Sequence, residues 1–209
     1  MFCLKINSKT IKEKRGGAVG LFCLGMVVLA SCADKDVDRP NLYSVDSLLT
    51  SQARYLSENK ASLQKIMTLD EAGEEITVTP KDAAAWEKEL EIFEALEIIN
   101  KPINMDLYRS EYLADPKSNL NIKAITTQAD LPVTYMKVYY QNTTDRVRKI
   151  EAEYHESNSL YRSARRLTLE FTEVGSTPVL TAYSVEGDQK MFLSDTVKYS
   201  IEGALTIPN

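Results

Sequence analysis

From about residue 107 to its C-terminus the chain alternates apolar and polar residues with a period of two, which confines this half to one kind of structure. Ile150, Ala152 and Tyr154 alternate with Lys149, Glu151, Glu153 and His155, and Leu167, Leu169 and Phe171 alternate with Arg166, Thr168 and Glu170. Near the end, Val197, Tyr199, Ile201, Gly203, Leu205 and Ile207 alternate with Lys198, Ser200, Glu202, Ala204 and Thr206. Successive side chains of a strand point to opposite faces, so these segments are strands with one buried and one wet face. Parallel strands covered on both sides would be continuously apolar, so an antiparallel sheet is expected. Asn142-Thr143-Thr144-Asp145, Glu156-Ser157-Asn158-Ser159, Gly175-Ser176 and Glu186-Gly187-Asp188 are spaced as the hairpin connections.

Before residue 107 the period is helical. Ser44 stands where a cap is needed, and Val45, Leu48, Leu49, Leu56, Leu63, Ile66 and Met67 recur mostly at helical intervals, which predicts one helix up to a turn at Gly73. A short strand is expected over Glu75 to Thr79. Thr79 and Asp82 then form an N-cap pair around Pro80 at the first helical position, and Trp86, Leu90, Phe93 and Leu96 make the buried stripe of a second helix that Asn100 and Pro102 end. The expected fold is α+β: two N-terminal helices packed on an antiparallel meander of about six to eight strands, in a single domain over residues 44–209.

The first residues read as a targeting segment. Lys5, Lys9, Lys12, Lys14 and Arg15 form a basic region, and the apolar run from Ala18 to Ala30 is too short to span a bilayer, which needs about 20 residues. Small residues and a cysteine follow at once, as Leu29-Ala30-Ser31-Cys32. This sequence resembles the lipobox of bacterial lipoproteins, which places an aliphatic residue three positions before an invariant cysteine. The resemblance implies that residues 1–31 are a signal peptide, that Cys32 becomes the acylated first residue, and that the protein is anchored to the outer membrane. Several acyl chains, each contributing about 0.8 kcal/mol per buried CH₂, would hold it there stably.

Residues 32–43 are polar and acidic and end in Pro, Asn, Leu and Tyr, which reads as a tether. The acids directly after Cys32 are similar to export signals of surface lipoproteins in the Bacteroidota envelope; the periplasmic and cell-surface faces both stay open. Asp34, Asp36 and Asp38 have the spacing of an EF-hand start, but Arg39 stands where glycine is required and Val45 where glutamate is, so calcium is not expected. The chain carries 25 Lys and Arg against 30 Asp and Glu, and loss of residues 1–31 removes five of the former and only Glu13 of the latter, leaving net −9. So acidic a domain is a poor nucleic-acid binder, and the membrane contact falls to the lipid.

Candidates for chemistry are few. All three cysteines lie in the first 32 residues, which leaves the body no disulfide framework and no thiolate site, and His155 is the sole histidine. No G-x-G-x-x-G, G-x-x-x-x-G-K-[ST] or H-E-x-x-H pattern is present. His155 has the wet parity of its strand beside Glu151 and Glu153, which reads as a solvated histidine. Glu87, Glu91 and Glu94 share the polar face of the second helix and read as solvated too. Arg165 has the parity of Leu167 and Leu169, so it either points inward and needs a partner or is returned to water by a bulge. Of the 11 tyrosines, Tyr135, Tyr139, Tyr140, Tyr154, Tyr161, Tyr183 and Tyr199 are among those in the strand region; strand propensity accounts for them before a wet cavity does. Asp46-Ser47-Leu48 and Asp195-Thr196-Val197 look like an O-glycosylation sequon of the same envelope.

The expectation is therefore a lipid-anchored envelope protein with a non-enzymatic binding or structural role, acylated at Cys32, with no cofactor and no metal. Its partners would be the membrane through the anchor and an envelope protein, a glycan or a hydrophobic ligand, with no nucleic acid. The alternative is a periplasmic carrier of lipid or another hydrophobic ligand. Helices on a curved sheet are similar in outline to the lipoprotein chaperones of the periplasm, whose ligand would occupy a cavity between helix and sheet.

Overall fold

A computed structural model of the chain describes residues 41–70 and 72–208; the signal segment, Cys32 and residues 33–40 lie outside the described residues. The order of elements is α1 (Val45–Glu58), β1 (Ser62–Leu69), β2 (Ala72–Val78), α2 (Ala83–Glu94), a 3₁₀ segment (Ala95–Asn100), the single turn α3 (Pro102–Met105), and seven strands, β3 (Tyr108–Ala114), β4 (Asn121–Thr127), β5 (Val133–Tyr140), β6 (Val147–Ser157), β7 (Tyr161–Val174), β8 (Thr177–Met191) and β9 (Thr196–Thr206). All nine strands join one antiparallel sheet in the order β2-β1-β9-β8-β7-β6-β5-β4-β3. The architecture is α+β, and β3 to β9 form the expected meander. The sheet has nine strands instead of six to eight, because the β1–β2 hairpin adds itself to β9. That hairpin stands between the two main helices along the chain, although α1 and α2 pack against each other in the fold.

The expected first helix stops about halfway. Asn59 Nδ2 donates to the Tyr55 carbonyl at 2.8 Å, Lys60 takes a left-handed φ of 52°, and Ala61 N returns to the Leu56 carbonyl at 2.9 Å, which closes the helix without a glycine. Beyond it, Leu63, Lys65, Met67 and Leu69 share the parity of the helix-covered face, with Leu69 exposed at the strand's end, and Gln64, Ile66 and Thr68 have the opposite parity. With a lysine on the inner face and an isoleucine on the outer one, the alternation is scrambled into intervals that read as helical.

Two caps differ from expectation. Ser44 makes no side-chain cap bond; Glu97 Oε2 accepts from Val45 N at 3.1 Å and Asp46 N at 3.2 Å instead. At α2 the cap is Asp82, whose Oδ1 accepts from Ala85 N at 2.9 Å, and Pro80 lies outside the helix. A carboxylate at a helix N-terminus also meets the positive end of the helix dipole. Leu42 and Tyr43, expected in the tether, pack against the core, and Asn100 holds them, accepting from Leu42 N and donating to the Tyr43 carbonyl, both at 2.8 Å.

One hydrophobic core joins the helices to the inner face of the sheet. Leu49 and Leu56 of α1, Trp86, Leu90 and Phe93 of α2 and Leu96 and Ile99 beyond it meet Met136, Ile150, Leu167, Leu169 and Val185. The helix-to-sheet contact also has a polar tie. Gln52, buried in α1, donates through Nε2 to the Pro178 carbonyl at 2.9 Å and accepts from Leu180 N at 2.8 Å. Pairing of β8 with β9 begins at Ala182, so Gln52 supplies bonds where β8 runs past its neighbour.

Glu186-Gly187-Asp188, expected as a turn, lies inside β8. Glycine is there because a Cβ would stand 2.6 Å from the Ala164 carbonyl oxygen and 2.9 Å from the Tyr199 hydroxyl. The chain turns after Met191 instead, and Leu193 takes the left-handed φ of 65°.

Candidate functional site

With the helices on one face, the alternation leaves the other face of the sheet to solvent, and that face divides in two. From β5 to β7 its side chains engage one another. Tyr139 OH donates to Glu151 Oε2 at 2.8 Å, Lys149 Nζ stands 2.7 Å from Glu151 Oε1 and 3.9 Å from Glu170, and Arg166 stands 3.4 Å from Glu153. Desolvation pushes the Glu151 carboxyl up, but the hydrogen bonds from Lys149 and Tyr139 outweigh it and hold the group below the usual carboxylate range. For Tyr139, burial and the bond to Glu151 both push the phenol up.

From β7 to β1 the same face is open. A depression of about 370 Å³ is floored by Thr168, Ala182, Ser184 and Ala204 and edged by Gln64, Ile66 and three glutamates, Glu170, Glu186 and Glu202. These residues are neighbours by register: Glu170 stands opposite Ala182, Ser184 opposite Glu202, and Ile66 opposite Glu202 on the next strand. Small side chains in the middle of three long strands make the hollow. Among the described residues Glu186 and Glu202 form no ion pair, in contrast to Glu151 and Glu153 next door. The hollow offers hydrogen-bond acceptors, one exposed aliphatic side chain and net negative charge.

On the helix side the space is occupied. Behind the hollow, the Tyr183 ring lies over Gly203 and meets Phe93 edge-on at 5.7 Å, and its hydroxyl donates to Glu89 Oε1 at 2.5 Å. Lys65 Nζ stands 2.5 Å from the same oxygen. Burial and then the hydrogen bond to Glu89 push the Tyr183 phenol far up. A crevice of about 280 Å³ opens beside this group, between α2 and the sheet, with Lys65, Lys88, Glu89 and Glu91 at its mouth. The sequence pattern hid Lys65 within an apparent helical stripe. Glu89 was legible only as the residue before Leu90, at the border of the α2 stripe.

The residues singled out from the sequence do not converge. Cys32 and the acids after it lie outside the described residues. His155 is half exposed, with Nε2 at 3.7 Å from Glu153. Glu87, Glu91 and Glu94 are exposed, and Glu91 pairs with Lys88 on its own helix. Arg165 does point inward: its guanidinium lies 4.5 Å from the Tyr154 ring centre and 3.8 Å from Glu156, and its Nε is buried without a hydrogen-bond partner. The tyrosines scatter over both faces, with Tyr140 and Tyr183 in the core and Tyr135 and Tyr139 in the ionic lattice. Ser47 and Thr196 are both exposed. Among the described residues no group of three or more His, Cys, Asp or Glu is placed to hold a metal ion, and no helix is long and apolar enough to cross a membrane. Comparison with protein-family models, with curated proteins and with solved structures finds no match to this chain.

Proposed function

We propose that this is a lipid-anchored outer-membrane protein with a non-enzymatic binding role, in which the open half of the sheet receives the partner. The anchor rests on the basic region, apolar run and Leu29-Ala30-Ser31-Cys32 in register. The binding role rests on one observation. The exposed face pairs charges with one another from β5 to β7 and, among the described residues, leaves Glu186 and Glu202 without an ion pair around a hollow from β7 to β1. Carboxylates and a serine around small side chains suit a ligand that presents hydroxyl or amino groups, such as a glycan or a basic segment of an envelope protein. The carrier alternative has less to rest on, because Trp86, Leu90, Phe93 and Leu96 fill the space between helices and sheet where its ligand would lie.

Two experiments test the two halves of this reading. Cys32→Ala is expected to move the protein from the membrane to the soluble fraction, and unchanged detergent dependence rejects acylation as the anchor. Ala182→Arg fills the hollow from a solvent-facing position. It is expected to abolish retention of the protein on envelope glycans or its envelope partner while leaving the melting temperature nearly unchanged. Undiminished retention rejects the hollow as the site.

A further inference from the structure

Four exposed large apolar side chains gather at one place, the tips of the β6–β7 and β8–β9 hairpins, whereas Ile103, Tyr112 and Leu69 are exposed elsewhere. Leu193 is 90% exposed, Phe192 70%, Leu160 66% and Met191 54%. The two turns are bound to each other, with Phe192 N donating to the Leu160 carbonyl at 2.7 Å. Each is also stiffened from within. Asn158 Oδ1 accepts from Leu160 N at 2.8 Å and Tyr161 N at 2.9 Å, and Ser194 N donates to the Met191 carbonyl at 3.2 Å. Leu193 adopts φ of 65°, which a leucine enters only at a cost, and in doing so it presents its side chain to solvent.

Two cations lie directly behind these side chains. Arg162 and Lys190 are cross-strand partners on β7 and β8, both exposed, and among the described residues neither forms an ion pair. Like charges placed opposite each other destabilise a strand pair unless something anionic lies between or above them. Within residues 157–162 and 190–195 Asp195 is the sole carboxylate, so the tip is basic in a chain of net charge −5.

We infer that this tip inserts into an anionic phospholipid bilayer, with Phe192, Leu193, Leu160 and Met191 among the acyl chains and Arg162 and Lys190 at the level of the phosphates. The patch is a protrusion, so it does not receive a helix or peptide as a groove would. Four apolar side chains are also far short of the roughly 20–30 residues a side that a stable protein interface uses. A bilayer needs no shape complementarity; an apolar tip with cations one layer behind matches its acyl and phosphate levels. The tip is not the place where the chain enters the domain. Asn41 lies beside Asp145 and Thr177 at the other end of the strands, and the 15 residues of β8 separate the two ends by roughly 45 Å at about 3.3 Å per residue. The contact is therefore separate from an acyl anchor upstream and does not depend on Cys32.

The test is a Phe192→Trp full-length chain mixed with vesicles of phosphatidylcholine and phosphatidylglycerol, some carrying brominated acyl chains, with the unsubstituted protein supplying the Trp86 background. The emission of the new tryptophan is expected to shift to the blue and to be quenched by the brominated lipid, while Trp86, fully buried, stays unchanged. Adding Arg162→Glu and Lys190→Glu is expected to weaken the shift roughly tenfold in lipid concentration, and pure phosphatidylcholine is expected to do the same. Vesicles that carry the protein while residue 192 stays in water leave the anchor standing and overturn the tip. Failure to bind vesicles overturns it too, as does a blue shift that appears only when an envelope protein is added, which assigns the tip to a protein partner.

Discussion

Gly203 faces the helices, yet what occupies its place is the ring of Tyr183 from the next strand. A Cβ there would stand 2.3 Å from Tyr183 Cε1, so the glycine lets the ring lie flat and its hydroxyl reach Glu89. Gly203→Ala is expected to lower stability by about 1–3 kcal/mol in urea unfolding, by displacing the ring and with it the Glu89 contact. Unchanged stability would show that the ring can swing aside freely. His155 gives the opposite case. It is a half-exposed side chain with one distant carboxylate, so His155→Ala is expected to change stability by no more than about 0.5 kcal/mol, and a loss above about 2 kcal/mol would show that it faces the core. Period two predicts these faces well, but it does not reveal which glycine lies under an aromatic ring. Gly187, legible only as a turn residue, is likewise explained by Tyr199 and the Ala164 carbonyl, groups brought to it by pairing.

Elements join here through a few specific ties as well as through apolar packing. Gln52 uses both ends of its amide on β8, so Gln52→Ala leaves Leu180 N and the Pro178 carbonyl without these partners beneath α1. Each orphaned buried group costs about 1–3 kcal/mol, and the expected loss in chemical denaturation is about 2–4 kcal/mol. A loss under about 0.5 kcal/mol would mean that water replaces the amide. The same dependence on distant partners explains where sequence patterns misplaced element ends. Glu97 and Asn100, about fifty residues downstream, hold the start of α1, so a local search for a cap settles on Ser44. The end of α1 depends on Lys60 in a left-handed conformation, a position where sequence rules look for glycine or asparagine.

At the scale of the whole molecule, charge sets the response to pH. Desolvation raises the Glu173 carboxyl, but bonds from Arg148 and Arg146, the latter at 2.5 Å, hold it below the usual range, as Lys149 and Tyr139 hold Glu151. A carboxylate whose folded value lies below its unfolded one stabilises the protein fully above the unfolded value near 4.5, and this contribution fades as pH falls through the folded value. The thermal midpoint is therefore expected to fall as the pH drops below about 4.5. Glu151→Gln with Glu173→Gln should flatten that slope, and a slope unaltered by both would assign the acid sensitivity to other carboxylates. The two proposed membrane contacts also belong to this scale, one upstream of the domain at Cys32 and one at the hairpin tip at its far end.

The sequence by itself determined the antiparallel character of the sheet, the wet face of β6, β7 and β9, the buried stripe of α2 and the lipobox-like segment. Each is written in neighbouring residues, and period or order along the chain suffices to express it. Only the tertiary structure decided that β1 is a strand, that the hairpin it forms with β2 closes on β9, that Lys65 and Glu89 meet under Tyr183, and that Leu160 joins Phe192 and Leu193. These are pairings between residues tens of positions apart, and a chain specifies them through the summed fit of many weak contacts, which no local pattern records.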